Sequence, residues 1–429
     1  MNYYSLNNNA PSVSFAEAVV KGLAPDRGLY FPENIQPLPA SFFENIETLD
    51  TVEIAYQSIK QFIGDEIPET ELRDILKDVL SFDFPVVEIE DNIGTLELFH
   101  GPTMAFKDVG ARFMARCLGY FNQNNNNKVT VLVATSGDTG GAVANGFLGV
   151  KGVDVVILYP SGKVSDIQEK QLTTLGQNIT ALEVEGVFDD CQDMVKTAFL
   201  DEEISSVKQL TSANSINVAR WLPQLFYFMF AYKQVKQKGK EIVFSVPSGN
   251  FGNICAGIVA NKLGLPVKHF IAATNVNDTV VRYLQSEKYD PKPSKATISN
   301  AMDVSNPSNF VRIQQLFNNN FHELKDDFSA YSFDDEQTKA TMKAVYNTTK
   351  YIADPHGAIG YMGLKEHTLT DNQYGIFLET AHPVKFLDTV ESTINTTVEI
   401  PTQIRKVMNK EKKSIHIKSY DELKKFLLQ

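Results

Sequence analysis

The stretch His100-Gly101-Pro102-Thr103-Met104-Ala105-Phe106-Lys107-Asp108 decides how the rest of this chain is read. It follows an apolar run at residues 96–99 and precedes a helical pattern over 109–120, so Lys107 falls where a strand hands over to a helix. Such junctions line the active sites of open α/β folds. Beyond it, apolar β-rich runs at 129–134, 153–158, 179–184, 242–246, 267–273 and 374–378 alternate with helical segments. This alternation predicts parallel sheets covered by helices on both faces. Upstream, Leu72, Ile75, Leu76, Val79 and Leu80 recur at helical spacing after Pro68, a residue suited to a first turn. The first part of the chain therefore reads as mainly helical. The tail adds a β-like Ser414-Ile415-His416-Ile417 and a helix over 420–428, whose Leu423, Phe426 and Leu427 share one side and read as packing. The polar run Phe121-Asn122-Gln123-Asn124-Asn125-Asn126-Asn127-Lys128 suits a connector between a helix and the next strand, with no function assigned to it.

At 429 residues with 43% hydrophobic and 10% aromatic content, the chain exceeds one ordinary domain and supports large buried cores, so two or three domains are expected. The expected division is an N-terminal domain over 1–92, an α/β subdomain over 93–235, and a second α/β subdomain over 236–429 that carries a C-terminal extension. A net charge of −12 argues against nucleic acid or an anionic membrane as the main partner, because either requires a cationic face. A small-molecule ligand fits better. Cys117, Cys191 and Cys255 are far apart, with neither a disulfide framework nor zinc spacing, so no metal is expected and a reducing compartment is. The start Met1-Asn2-Tyr3-Tyr4-Ser5 lacks a charged and then apolar leader, and no run approaches the roughly 18 to 20 apolar residues of a membrane span. The reading is a soluble, cytoplasmic protein.

Three turns carry groups able to hold anions. After the run at 129–134 comes Thr135-Ser136-Gly137-Asp138-Thr139-Gly140-Gly141-Ala142, rich in hydroxyls and glycines, opening the helix that holds Val143 and Phe147. After 242–246 comes Pro247-Ser248-Gly249-Asn250-Phe251-Gly252-Asn253, with a helix starting near Ile254. Glycines let backbone approach a ligand closely, and a helix N-terminus favours a phosphate. Taken alone, each is more readily read as an ordinary strand-to-helix turn, where glycine is common. In Thr211-Ser212-Ala213-Asn214-Ser215-Ile216-Asn217-Val218-Ala219-Arg220, an Asn214 cap would bring an amide, a hydroxyl and a guanidinium together, a set suited to a phosphate monoester. A solvated arginine on a capped helix is the plainer alternative. Glu379-Thr380-Ala381-His382-Pro383-Val384-Lys385 follows the last strand, where a hydroxyl can bond a ring nitrogen and His382 reads as structural. The nucleotide P-loop and the G-x-G-x-x-G fingerprint are absent, which disfavours nucleoside triphosphate and nicotinamide chemistry.

These elements in this order resemble the threonine synthase family of pyridoxal phosphate (PLP) enzymes with the tryptophan synthase β-like fold (fold type II). The resemblance covers nearly the whole chain. It extends to Gly22-Leu23-Ala24-Pro25-Asp26-Arg27-Gly28-Leu29-Tyr30, Gly186-Val187-Phe188-Asp189-Asp190-Cys191, Ala301-Met302-Asp303-Val304-Ser305-Asn306-Pro307-Ser308-Asn309 and Asp354-Pro355-His356-Gly357. It departs at the start, where relatives commonly carry a Ser-Thr-Arg-like triplet and this chain has Ser5-Leu6-Asn7-Asn8.

What the resemblance implies is an α/β enzyme of fold type II, with two open parallel-sheet subdomains, a cofactor cleft between them and a mainly helical N-terminal domain. Lys107 would carry the cofactor, with Phe106 beside it. Ser248, Gly249, Asn250, Phe251, Gly252 and Asn253 would hold its phosphate. Asp138 would stand near its 3-hydroxyl, and Thr380 would partner its pyridine nitrogen. The implied substrate is O-phospho-L-homoserine, its carboxylate at Ser136 and its phosphate among Thr135, Thr139, Asn214, Ser215 and Arg220. The implied reaction adds water and releases phosphate and L-threonine, by a monomer or a homodimer. Two rivals stand beside this reading. A phospholyase of the same fold would release a 2-oxo acid, ammonia and phosphate, and a non-catalytic sensor of phosphorylated ligands would lack the lysine or the glycines that this chain retains.

Overall fold

The computed structural model describes residues 1–123 and 128–429; the asparagines at 124–127 of the connector lie outside the described residues. Two parallel sheets dominate. One has five strands in the order Ile415–Ile417, Ile179–Val184, Val153–Pro160, Val129–Ala134, Gln209–Thr211, every pairing parallel. The other has six, in the order Phe328–Ser332, Val267–Thr274, Glu241–Pro247, Gln373–Glu379, Ile93–Glu97, Val86–Glu90, of which only the last runs antiparallel to its neighbour. Val129–Ala134 is buried along its whole length and Glu241–Pro247 from its second residue, as strands covered on both faces must be. That is why they read as continuous apolar runs instead of alternating ones.

Sheet membership cuts across the expected contiguous spans at three points, the first being Val86–Glu90, which joins the six-stranded sheet from the N-terminal span. Ile93–Glu97 precedes the five-stranded sheet in sequence but pairs with Gln373–Glu379, and the tail strand Ile415–Ile417 returns to pair with Ile179–Val184. Parallel pairing is non-local by nature, so periodicity marks each strand without naming its neighbour. The first part of the chain is largely helical, with Thr51–Ile63 and Glu69–Val79 packed together. It also holds an antiparallel sheet that the sequence reading left out, in the order Val13–Ser14, Asn2–Ser5, Tyr30–Pro32. These strands are only two to four residues long, too short to show alternation.

Helix Leu225–Val235, apolar almost all round, is buried in the main core against Gly252–Lys262, where Phe228 stacks edge-on with Phe244 at 4.9 Å. The carboxyl ends Ala134 and Pro247 of strands from the two sheets, and Thr380 just after strand Gln373–Glu379, line the same cavity, which is where the fold places its chemistry.

Candidate active site

Lys107 is the first residue of helix Lys107–Asn122, and the chain is pinned just ahead of it. Phe106 N–H donates to Thr380 O at 2.9 Å, His382 N–H donates to Met104 O at 3.1 Å, and the Tyr227 hydroxyl donates to Phe106 O. The lysine turn is thus laced to the end of strand Gln373–Glu379. Met104 takes a left-handed φ of 59° to make the bend. Lys107 itself is half-buried and faces a cavity of about 350 Å³. Burial pushes its amine down to about 8, with the Lys385 and Arg220 charges acting the same way and Asp138 opposing them.

The cavity brings most of the predicted residues together. Its wall includes Phe106, Lys107 and Thr380, then Thr135, Ser136 and Thr139 from one turn, Gly249, Asn250, Phe251, Gly252 and Asn253 from another, and Asn214, Ser215 and Arg220 from the third. Only Asp138 and Ser248 of the predicted set are missing from it. Ser248 turns its hydroxyl back to donate to Val246 O at 2.8 Å. Asp138 is enclosed beneath the turn, 2.6 Å from Lys385 Nζ and accepting from Gln168 Nε2 at 2.9 Å. Burial alone would raise the Asp138 carboxyl, but Lys385 and Lys107 outweigh it and hold it well below the usual range.

The turns differ in what they offer. Thr135 Oγ1 accepts from Gly137 N–H at 3.0 Å and Gly140 N–H at 2.8 Å, so the hydroxyl expected to meet substrate is engaged by its own turn. In the 248–251 turn, Phe251 adopts φ 59° and helix Gly252–Lys262 starts with no side-chain cap. The N–H groups of Gly249 to Asn253 have no partner among the described residues and border the cavity. Gly249 is required by its surroundings, since a Cβ there would come within 2.8 Å of Met302 Cα. The loop over 301–309 locks this turn: Ser308 N–H donates to Asn250 Oδ1 at 2.6 Å, and Asn309 Nδ2 donates to Asn250 O and to Ser215 Oγ, each at 3.0 Å.

Arg220 is 4% exposed, donates from Nη1 to Ala213 O, and leaves Nε without a partner. No carboxylate pairs with it among the described residues. A buried guanidinium in that state is a ready anion site. Asn214 does not cap its helix as expected. Asn217 does, accepting from Ala219 N–H at 3.0 Å, because its amide is fixed by donating to Val19 O at 2.8 Å. His382 is structural, its Nδ1 accepting from Val384 N–H at 3.0 Å.

His356 lies on the cavity wall although it received no role from the sequence. Its Nδ1 is 2.7 Å from Asp354 Oδ2, which fixes the ring, and its buried Nε2 has no partner. The signal available was Asp354-Pro355, an N-cap followed by a first-turn proline, which marks a helix start beneath the ring.

Comparison with known proteins bears on this geometry. The family model described as pyridoxal-phosphate dependent enzyme matches residues 95–375, flanked by models for the threonine synthase N terminus over 2–80 and C-terminal part over 357–427. The chain is 45% identical over 405 residues to a threonine synthase of Escherichia coli (strain K12), covering 94% of each. It belongs to the threonine synthase family of PLP-dependent enzymes. The Saccharomyces cerevisiae threonine synthase is 36% identical over 98% of this chain and 95% of its own length. Crystal structures of threonine synthases from E. coli and, with PLP bound, from Brucella melitensis match with TM-scores of 0.94 at 43% and 33% identity, covering all of this chain and 99% and 98% of theirs.

The residues present fit that cofactor. An amine lowered by burial faces the cavity, unpartnered N–H groups at an uncapped helix start suit its phosphate, and a second cation, Arg220, remains for another anion. Among the described residues no group of three or more His, Cys, Asp or Glu side chains is placed to hold a metal, and no helix is long and apolar enough to cross a membrane.

Proposed function

We propose that this threonine synthase family member converts O-phospho-L-homoserine and water to L-threonine and phosphate. The observation that carries the reading is the pairing of two separate anion sites with one amine: the Gly249 to Asn253 N–H groups on one side, Arg220 on another, and Lys107 on the same cavity wall. One anion site suits the cofactor phosphate, and the other leaves a cradle for a phosphorylated amino acid. PLP, when bound, withdraws electron density from the substrate's carbon skeleton and so makes protons on its carbons removable.

The chain's own residues divide the remaining work. Arg220, Asn214, Ser215 and Thr139 bind the substrate phosphate, and Arg220 stabilises the charge that grows on it as it leaves. Ser136 and the backbone of its turn hold the carboxylate. Thr135 keeps that turn in shape by spending its hydroxyl on Gly137 and Gly140. Thr380, on the cavity wall, would help hold the cofactor through its pyridine nitrogen. Lys107, with its amine lowered to about 8, takes protons at the substrate carbons near neutral pH and returns them. The 301–309 loop holds the backbone-lined turn in place through Ser308 and Asn309.

The test is incubation of purified protein and PLP with O-phospho-L-homoserine, following phosphate, threonine and 2-oxobutyrate together. Phosphate matched by threonine is the expected result. Phosphate matched by 2-oxobutyrate would instead make the protein a phospholyase, and no phosphate would overturn the substrate.

A further inference from the structure

Lys385 is the only buried lysine among the described residues, at 1% exposure. A buried ammonium is costly and is kept only with a partner. Its Nζ lies 2.6 Å from Asp138 Oδ1, and no other acceptor reaches it among the described residues. The pair joins the two sheets: Asp138 opens the helix after strand Val129–Ala134, and Lys385 sits in the short turn Pro383–Phe386 after strand Gln373–Glu379. Asp138 is also fixed from below. Gln168 donates to it at 2.9 Å and is itself wedged against Gly137, where a Cβ would lie 2.6 Å from the amide. Meanwhile Lys107, on the cavity wall, enters no ion pair among the described residues.

We propose that Lys385 is a positioning residue: by pairing with Asp138 it keeps that carboxylate off the cavity wall and leaves the Lys107 amine without a counter-ion. The inference rests on the reading of Lys107 as the cofactor-bearing lysine. The charges that bear on Lys107 are Asp138, which favours its protonated form, and Lys385 and Arg220, which oppose it. Removing Lys385 deletes one opposing charge and frees Asp138 to act on Lys107 in full, so both changes push the amine toward holding its proton. Capture of the cofactor needs the neutral amine. Its nitrogen bonds to the aldehyde carbon as the C=O bond breaks, and the oxygen leaves as water carrying both amine protons. A lysine that keeps its proton makes that step slow.

The experiment uses the full chain stripped of cofactor and mixed with PLP across a pH series. Capture is followed by visible absorbance, and by borohydride trapping with peptide mapping. K385M is expected to move the midpoint of the capture rate up by about one pH unit, slowing capture about tenfold at neutral pH. K385R, which keeps the cation, should stay near the unsubstituted midpoint, and K385M/D138N, which removes both charges, should return close to it. Label on Lys107 with an unmoved K385M midpoint overturns the proposal alone, whereas label on another lysine overturns the reading of Lys107 and the proposal with it. If K385M does not fold, D138N against K385M/D138N isolates the Lys385 charge. The midpoint should then be lower in D138N, and equal midpoints overturn the proposal.

Discussion

Two turns of this molecule share a plan and differ in what they present. Each leaves a buried parallel strand, passes through glycines and small polar residues, and opens a helix, Asp138–Phe147 in one case and Gly252–Lys262 in the other. In the first, Thr135 satisfies the N–H groups of Gly137 and Gly140 from within the turn, so its backbone is partly engaged and the side chains of Ser136 and Thr139 reach the cavity beside what backbone remains. In the second, Ser248 turns away to Val246 O and no side chain caps the helix, so the backbone itself is on offer. Glycine-rich sequence alone therefore marks a place where an anion can be met. Which chemistry meets it is decided by whether the first hydroxyl after the strand faces the turn or the strand.

The largest effect should come from the group that both turns face. Lys107→Ala is expected to abolish the absorbance of lysine-bound PLP and to lower turnover about 10⁴-fold or more, with the melting temperature little changed. Retained turnover would place the essential amine elsewhere. Arg220→Ala comes next, with a loss on the order of 10²- to 10³-fold in kcat/KM toward the phosphorylated substrate and an unchanged cofactor spectrum. Loss of cofactor in that variant would move Arg220 to the other anion site and erase the division of labour between the turns.

A pair of glycine substitutions sharpens the contrast directly. At Gly249 a Cβ would meet Met302 Cα at 2.8 Å and Ala301 O at 2.9 Å, backbone atoms that cannot swing aside. Gly249→Ala is therefore expected to raise the PLP Kd about tenfold, roughly 1.4 kcal/mol, by displacing the backbone cradle. At Gly140 the added Cβ would meet Thr135 Cγ2 at 2.5 Å, a side chain. Gly140→Ala should leave the PLP Kd unchanged and lower kcat/KM for substrate several-fold. Equal loss of cofactor in both variants would show that the turns are not specialised. Titration of stripped protein with PLP by absorbance reads both.

The strands of this fold were legible because they are buried on both faces: the runs at 129–134 and 179–184 coincide with Val129–Ala134 and Ile179–Val184. Their neighbours were not, since the pairing of Ile93–Glu97 with Gln373–Glu379 joins segments nearly three hundred residues apart. The cavity lining was legible where backbone position decides it, as at Gly249 and Gly252. It was not where a distant partner decides it. Asp138 is drawn under its turn by Lys385, and Asn217 takes the cap foreseen for Asn214 because Val19 O fixes its amide. His356 was hidden because its place on the cavity wall goes with a contact to Asp354 Oδ2 that no periodicity announces.

The smallest effect tests the closed turn itself. Thr135→Val keeps the shape of the side chain, whose Cγ2 already packs beside Gly140, but removes the oxygen that accepts from Gly137 N–H and Gly140 N–H. Two buried donors then lack a partner, and the helix loses the hydroxyl that holds its start. The expected cost is about 1 to 2 kcal/mol of stability in urea unfolding of the cofactor-free protein, with PLP affinity unchanged and KM for substrate raised only a few-fold. The competing outcome is informative because the family resemblance assigns Thr135 to the substrate phosphate. Normal stability with a KM raised a hundredfold would mean that the hydroxyl leaves its turn to bind substrate, and that the two turns differ less when loaded than when empty.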